Sequence, residues 1–215
     1  MGTVATYCDR ARVRVRDSAR IELIDPEVLG ILNGILETIY QTLVNVNSNL
    51  VYALGTVTTV DGTAEYTPTF TFDSFLRDGS WVSGEDTYLK EVSEADKIKW
   101  DYTSTTNTPE AYYITEDGKV GYLWVPDDAY TIYHTYWAQV TAITNYTTGT
   151  LPWGGIFNRY IERQLVIEIL EMQEKDTSMS MFHAQTEWDK AMTMVYNRGI
   201  RRERQASDMF SIGNI

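Results

Sequence analysis

Any chemistry in this 215-residue chain has few side chains to draw on. There are two histidines, His134 and His183, and one cysteine, Cys8. A lone cysteine excludes an intrachain disulfide and a cysteine-rich zinc centre. Two histidines without ligand spacing around them give no metal site. His134 sits among Tyr133 and Tyr136 in a strand-like run, which predicts a core or cross-strand role. His183 has Glu187 one helical turn onward, which predicts a surface or interface residue. The acidic pairs Glu85-Asp86 and Asp127-Asp128 are tempting as acid–base couples. Adjacent carboxylates at turns, however, usually bond the local backbone. There is no phosphate loop, no GxSxG elbow and no HExxH. No catalytic residue, cofactor or metal is therefore expected.

Two other residue patterns remain. "DRARVRVRDSAR" places Arg10, Arg12, Arg14 and Arg16 at every second position. With a period of two this is a strand with one guanidinium face, and with a period of 3.6 the arginines scatter around a helix. Tyr112, Tyr113, Tyr122, Trp124, Tyr130, Tyr133, Tyr136 and Trp137 form the second pattern. They suit a sugar-stacking platform, but strand alternation favours a core or a subunit contact. A carbohydrate-binding module is thus the alternative reading. Charge narrows the partners. The chain carries −12 overall, yet residues 1–20 carry five Arg against two Asp, a net +3. Residues 198–215 carry four Arg against Glu203 and Asp208, a net +2, which leaves −17 on residues 21–197. Such a body repels nucleic acid in bulk, and the basic ends suit an acidic partner or a neighbouring copy. No apolar run approaches the length of a membrane span.

The elements that must position these residues fall in three blocks. "DPEVLGILNGILETIYQTLVNVN" predicts a buried helix, with Asp25 as cap, Pro26 in the first position and Leu29, Leu32, Leu36, Ile39 and Leu43 as its stripe. Gly30 and Gly34, one turn apart, predict close approach of a second helix. Residues 51–148 read as an inserted β domain. Within it, two strands flank Asp61-Gly62, and a three-strand meander turns at Asp117-Gly118 and at Pro126-Asp127-Asp128. Pro68 places its strand at an edge or bulge. "SEADKIKWDYTSTTNT" reads as a loop with one helical turn. Residues 149–204 predict a helical hairpin broken at Asp176-Thr177-Ser178. Its stripes are Phe157, Ile161, Leu165, Ile169, Met172 and then Met181, Ala184, Trp188, Ala191, Met192, Val195. Residues 205–215 lack periodicity and read as an extended arm. The fold class expected is α+β. Two N-terminal helices (1–50) and two C-terminal helices make a four-helix bundle core with an inserted antiparallel β domain.

That order of elements resembles the head-to-tail adaptor proteins of tailed bacteriophages, the tail accessory and head-completion factors. "RVRVRDSARIELIDPEVLGILNGILETI" is similar to the family's opening, a first helix ending near an Asp (Asp17), then a capped helix with an internal asparagine (Asn33). "TPEAYYITEDGKVGYLWVPDDAYTIYHTYW" resembles its strand–turn–strand run, with Thr108 standing where the family has glycine before the Pro. "LPWGGIFNRYIERQLVIEILEMQEKD" with "AQTEWDKAMTMVYNRGIRRER" resembles its closing helical hairpin.

The resemblance implies a non-enzymatic virion protein at the head–tail interface, assembled in the host cytoplasm. It implies a homo-oligomeric ring, twelvefold, docked beneath the portal protein and offering a platform to a tail or nozzle protein. It also implies that "TVATYCDRARVRVRD" is a helix. Arg10, Arg12, Arg14 and Arg16 would then face neighbouring subunits or touch genomic DNA transiently in the channel. The C-terminal arm would reach the portal through Arg198, Arg201, Arg202, Arg204, Met209, Phe210 and Ile212.

Overall fold

The structure, a computed structural model, describes residues 2–16, 23–46, 48–85, 88–94 and 106–211, with the backbone alone for residues 73, 77 and 199–211. The expected helix end at Asp17, residues 95–105 of the loop read over 93–108, Asp86 and Ile212 lie outside the described residues. Among those described are helices α1 Val4–Val15, α2 Asp25–Asn45, α3 Asn158–Met172 and α4 Ser178–Ser211. The strands are β1 Tyr52–Thr58, β2 Glu65–Tyr66, β3 Phe72–Val82, β4 Lys90–Glu91, β5 Ala111–Ile114, β6 Val120–Leu123 and β7 Thr131–Ala138. The chain is α+β and divides into two compact units, Met1–Leu50 with Val140–Ile215, and Val51–Gln139.

In the helical unit α3 packs against α1, α2 and α4. Its Ile161, Leu165 and Ile169, with Phe157 just before the helix, are fully buried, at the three- and four-residue steps that put them on one face. Met172 and Met181, expected in the stripes, are instead exposed. They lie beside the turn that joins α3 to α4. Gly30 and Gly34 also differ from expectation. A Cβ built on either would meet no packing neighbour within 4 Å, so no described helix approaches them closely.

The start of α2 is fixed by Glu27, whose carboxylate accepts the Ile24 N–H at 2.9 Å. Asp25 is the first helical residue rather than the cap. Residues 140–150 are pinned to these helices. The Asn33 amide clasps the Ile143 backbone, donating to its carbonyl at 3.1 Å and accepting its N–H at 2.9 Å. The Gly149 carbonyl accepts the Val4 N–H at 2.8 Å. The internal asparagine of α2 thus holds the chain where it rejoins the helices. α4 continues in helical conformation through Ser211, so the segment from residue 205 is not an extended arm as far as the backbone is described. Arg, Glu, Gln and Ala are good helix formers and need no apolar stripe to continue a helix already nucleated.

In the β unit the strands form two sheets, ordered β1-β7-β3 and β2-β6-β5-β4. The chain reverses at the expected turns, with Gly62 and Gly118 in left-handed conformation. The partners differ from expectation. β1 pairs with β7, placing Gly55 opposite His134, and β2 pairs with β6, so the strands flanking Asp61-Gly62 belong to different sheets. β5 and β6 form the expected hairpin, but β7 leaves the meander to become the centre of the other sheet. β2 lies at an edge and ends at Tyr66, before Pro68.

Val57, Phe75, Tyr112, Val120, Tyr122 and Ile132, drawn from both sheets, share one core. His134 sits inside it with no exposed surface. Its Nδ1 pairs with the Ser80 hydroxyl at 2.8 Å and its Nε2 with the Tyr122 hydroxyl at 2.7 Å. A neutral imidazole, donor at one nitrogen and acceptor at the other, satisfies both. Burial pushes its pKa down from 6.5 to about 3. The native state therefore keeps it neutral while the unfolded chain takes up a proton below about pH 6.5. This contribution to stability is complete above that pH and is lost as the pH falls toward 3.

Between pH 7 and pH 5 the loss from this one side chain amounts to roughly 2 kcal/mol. Urea titrations at the two pH values should show His134→Gln losing correspondingly less stability than the native sequence. Equal losses in the two proteins would mean that protonation of His134 is not what weakens the β unit in acid.

Candidate functional site

The alternating arginines resolve once α1 is a helix. Positions two apart lie roughly 200° apart around the axis, so Arg10 and Arg14 share one face and Arg12 takes the opposite one. Val4, Cys8, Ala11, Arg12 and Val15 make up the buried face. Arg12 is only 1% exposed. It donates to the Leu23 carbonyl at 2.6 Å and to the Asp25 carboxylate at 3.1 Å, locking α1 to the start of α2. That placement withdraws Arg12 from the candidates for a subunit or channel contact. Arg16 ends the helix in left-handed conformation, its N–H returning to the last turn.

Arg10 and Arg14 point to α3. Arg14 lies 2.6 Å and Arg10 3.9 Å from opposite oxygens of Glu162. Glu162 is 7% exposed, a carboxylate sunk in the helical unit beneath two half-exposed guanidiniums. The same cleft, about 530 Å³, receives Arg159 and Arg163 from α3 and Glu187 from α4. Glu187 is held below the usual carboxylate range, chiefly by Lys190, with Arg159 and Arg163 adding to the effect. Tyr7 closes one side, its hydroxyl bonded to the Asn158 amide. Four arginines against two glutamates leave the cleft with a net +2.

The distribution of charge along α3 runs against the helix dipole. Its first turn carries Arg159 and no acid, and its second sets Arg163 beside Glu162. Its end carries Glu168 and Glu171, followed by Glu174 and Asp176, and no base in the last turn. Each charge at the unfavourable end costs about 0.3–1 kcal/mol. The turn after α3 adds a second irregularity, because Glu174 adopts a φ of 54°, the left-handed position that glycine normally fills at a helix end. The Lys175 N–H closes that turn on the Leu170 carbonyl at 2.9 Å.

The other candidates of the sequence belong to the fold. Asp127 accepts the Tyr130 hydroxyl and Asp128 the Ala129 N–H, both at 2.7 Å, as turn formers do. Burial pushes the Cys8 thiol up to about 12, which leaves it unreactive. Among the described residues no three metal-ligating side chains converge. The aromatic run is not a platform, since Tyr112, Tyr113, Tyr122 and Tyr136 are buried. The Tyr113 ring occupies the space over its cross-strand partner Gly121 where a Cβ would stand. No described helix is long and apolar enough to cross a membrane. The side chains of Arg201, Arg202, Arg204, Met209 and Phe210 lie outside the described residues, and Arg198 is exposed on α4.

The model of the SU10 adaptor protein family matches residues 2–211. The chain belongs to that family. It is a bacteriophage head-to-tail adaptor family, so this SU10-type adaptor is a structural protein of the virion. No curated protein matches the chain. The sequence of this adaptor sends two arginines to a buried carboxylate, one into the core and two more to the lining of the same cleft.

Those roles separate by stability. Arg12→Ala would strand a buried carbonyl and a half-buried carboxylate, and should lower the unfolding free energy by about 3 kcal/mol. Arg10→Ala, at an exposed and long ion pair, should change it by less than about 0.5 kcal/mol. Denaturant midpoints that fall equally in the two variants would contradict the burial of Arg12.

Proposed function

We propose that this adaptor forms a closed ring of identical subunits, twelvefold if it follows the resemblance, seated beneath the portal protein. The ring prolongs the channel for genomic DNA and gives the tail or nozzle protein its platform. Family membership over residues 2–211 carries this reading. Assembly takes place in the host cytoplasm, and the ring's contact with DNA is transient and independent of sequence, as befits a chain of net −12.

The portal-side contact falls to the end of α4 and the last few residues of the chain. Arg198, Arg201, Arg202 and Arg204 fork onto portal carboxylates, while Met209, Phe210 and Ile212 enter an apolar groove. Each copy offers the same segment, so a ring docks with the avidity of many weak contacts. The segment is presented from a helix that continues to Ser211.

Negative-stain images of the purified chain, alone and mixed with portal rings, should show rings coaxial with the portal. Deleting residues 206–215 should leave the melting temperature nearly unchanged and abolish that attachment. Attachment of the truncated protein at the wild-type level would remove the C-terminal segment from the portal contact.

A further inference from the structure

The arginine cleft and the opposite end of α3 are complementary. The cleft gathers Arg10, Arg14, Arg159 and Arg163 around Glu162 and Glu187, a net +2. The far end of the helix, roughly 15 Å along the axis from Glu162, carries exposed Glu171, Glu174 and Asp176 against Lys175, a net −2. Exposed apolar side chains surround that apex, with Met172, Met179 and Phe182 at 58%, 69% and 67% exposure. We infer that the acidic apex of the α3–α4 hairpin of one copy seats in the arginine cleft of the next. The inference rests on the ring reading and supplies its subunit contact.

Five observations favour a second copy over another anion. The two surfaces match in magnitude and opposite sign. They lie at opposite ends of one helix, so each copy can give and receive at once, the requirement of a heterologous ring contact. The apolar rim of the apex is exposed in a single copy and is covered on docking. Glu174 stands where glycine would relieve the backbone, and its strain is retained at a position that carries the charge outward. DNA would meet a cleft that already holds two carboxylates, one of them buried.

Charge reversal tests the contact in the full chain. Arg159→Glu with Arg163→Glu reverses the cleft, and Glu171→Lys with Glu174→Lys reverses the apex. Mass photometry at low salt, on the chain alone and on portal rings, should show each double variant assembling at least tenfold less than wild type. An equimolar mixture of the two should recover rings, because every alternating contact is again opposite in sign. The chain bearing all four substitutions should recover them as well.

Wild-type assembly by either double variant alone would overturn the contact, as would a mixture no better than its components. Short duplex DNA bound by the wild type, lost on cleft reversal while rings persist, would also overturn it and assign the cleft to the channel wall. A wild-type chain that forms no ring, alone or on portal, would instead refute the ring reading and the contact with it.

Discussion

A carboxylate buried in the middle of a helical unit constrains everything packed around it. Glu162 is on α3, the helix against which the other three pack. Removing an ion of that size from water costs several kcal/mol, and the cost is tolerable only where a guanidinium is held within hydrogen-bond reach. α1 meets the condition with Arg14 at 2.6 Å. A one-residue slip of α1 would turn Arg14 by roughly 100° and leave the carboxylate without it. The same slip would rotate Val4, Cys8, Ala11 and Val15 away from their shared buried face. Register is therefore specified twice, by apolar burial and by charge. Guanidinium is suited to this duty because it offers five donors in a plane. Arg14 can serve Glu162 from one edge while 40% of its side chain stays open to the cleft. The ion pair that fixes the fold thus also shapes the charged surface.

The β unit meets a different constraint. Two small sheets must share a core, and polar groups placed between them need partners from both. His134 comes from the central strand β7, Ser80 from its neighbour β3, and Tyr122 from β6 of the other sheet. A single neutral imidazole joins all three. The Phe75 ring stacks on His134 with centroids 4.3 Å apart, which fills the space beside it. On another face of the same sheet pair, Trp81 stacks on Tyr133 at 5.1 Å. The high aromatic content first suggests ligand recognition. Large rings also let a bulged, irregular strand such as β3 bury enough area to hold its place.

The sequence is legible where the physics is local. The apolar spacing of α2 and α3 lies within one helix, so their buried residues could be read directly, as could the turns at Gly62 and Gly118. Strand partners were not legible. A turn signal says where the chain reverses and nothing about which strand it meets, and β1 finds β7 some eighty residues later. The alternating arginines were ambiguous because a period of two satisfies a strand, and on a helix it divides them between two faces. Only burial showed that Arg12 belongs to the inside. Nothing local in the sequence joins Arg159 and Arg163 to residues 10 and 14. A signal for them was present all the same, in a helix whose charges oppose its dipole.

That opposition has a physical logic in an acidic chain that must assemble with itself. Copies carrying −12 repel at long range, but at physiological salt the repulsion fades beyond roughly 8 Å. Contact is governed instead by the charges that meet and lose their water. A helix with an arginine and no acid in its first turn, and acids without a base at its end, gives up some of its own stability. In return it presents two complementary poles, and no symmetric pairing of the same pole is favourable. Like poles meeting would add repulsion to desolvation, so a two-fold dimer through either end is disfavoured. The arrangement that remains runs pole to pole in one direction, and its closure is set by the angle between the cleft and the apex within each copy. In this reading the reversed charge of α3 trades monomer stability for directionality, and the buried Glu162 keeps the basic pole from relaxing back onto its own helix.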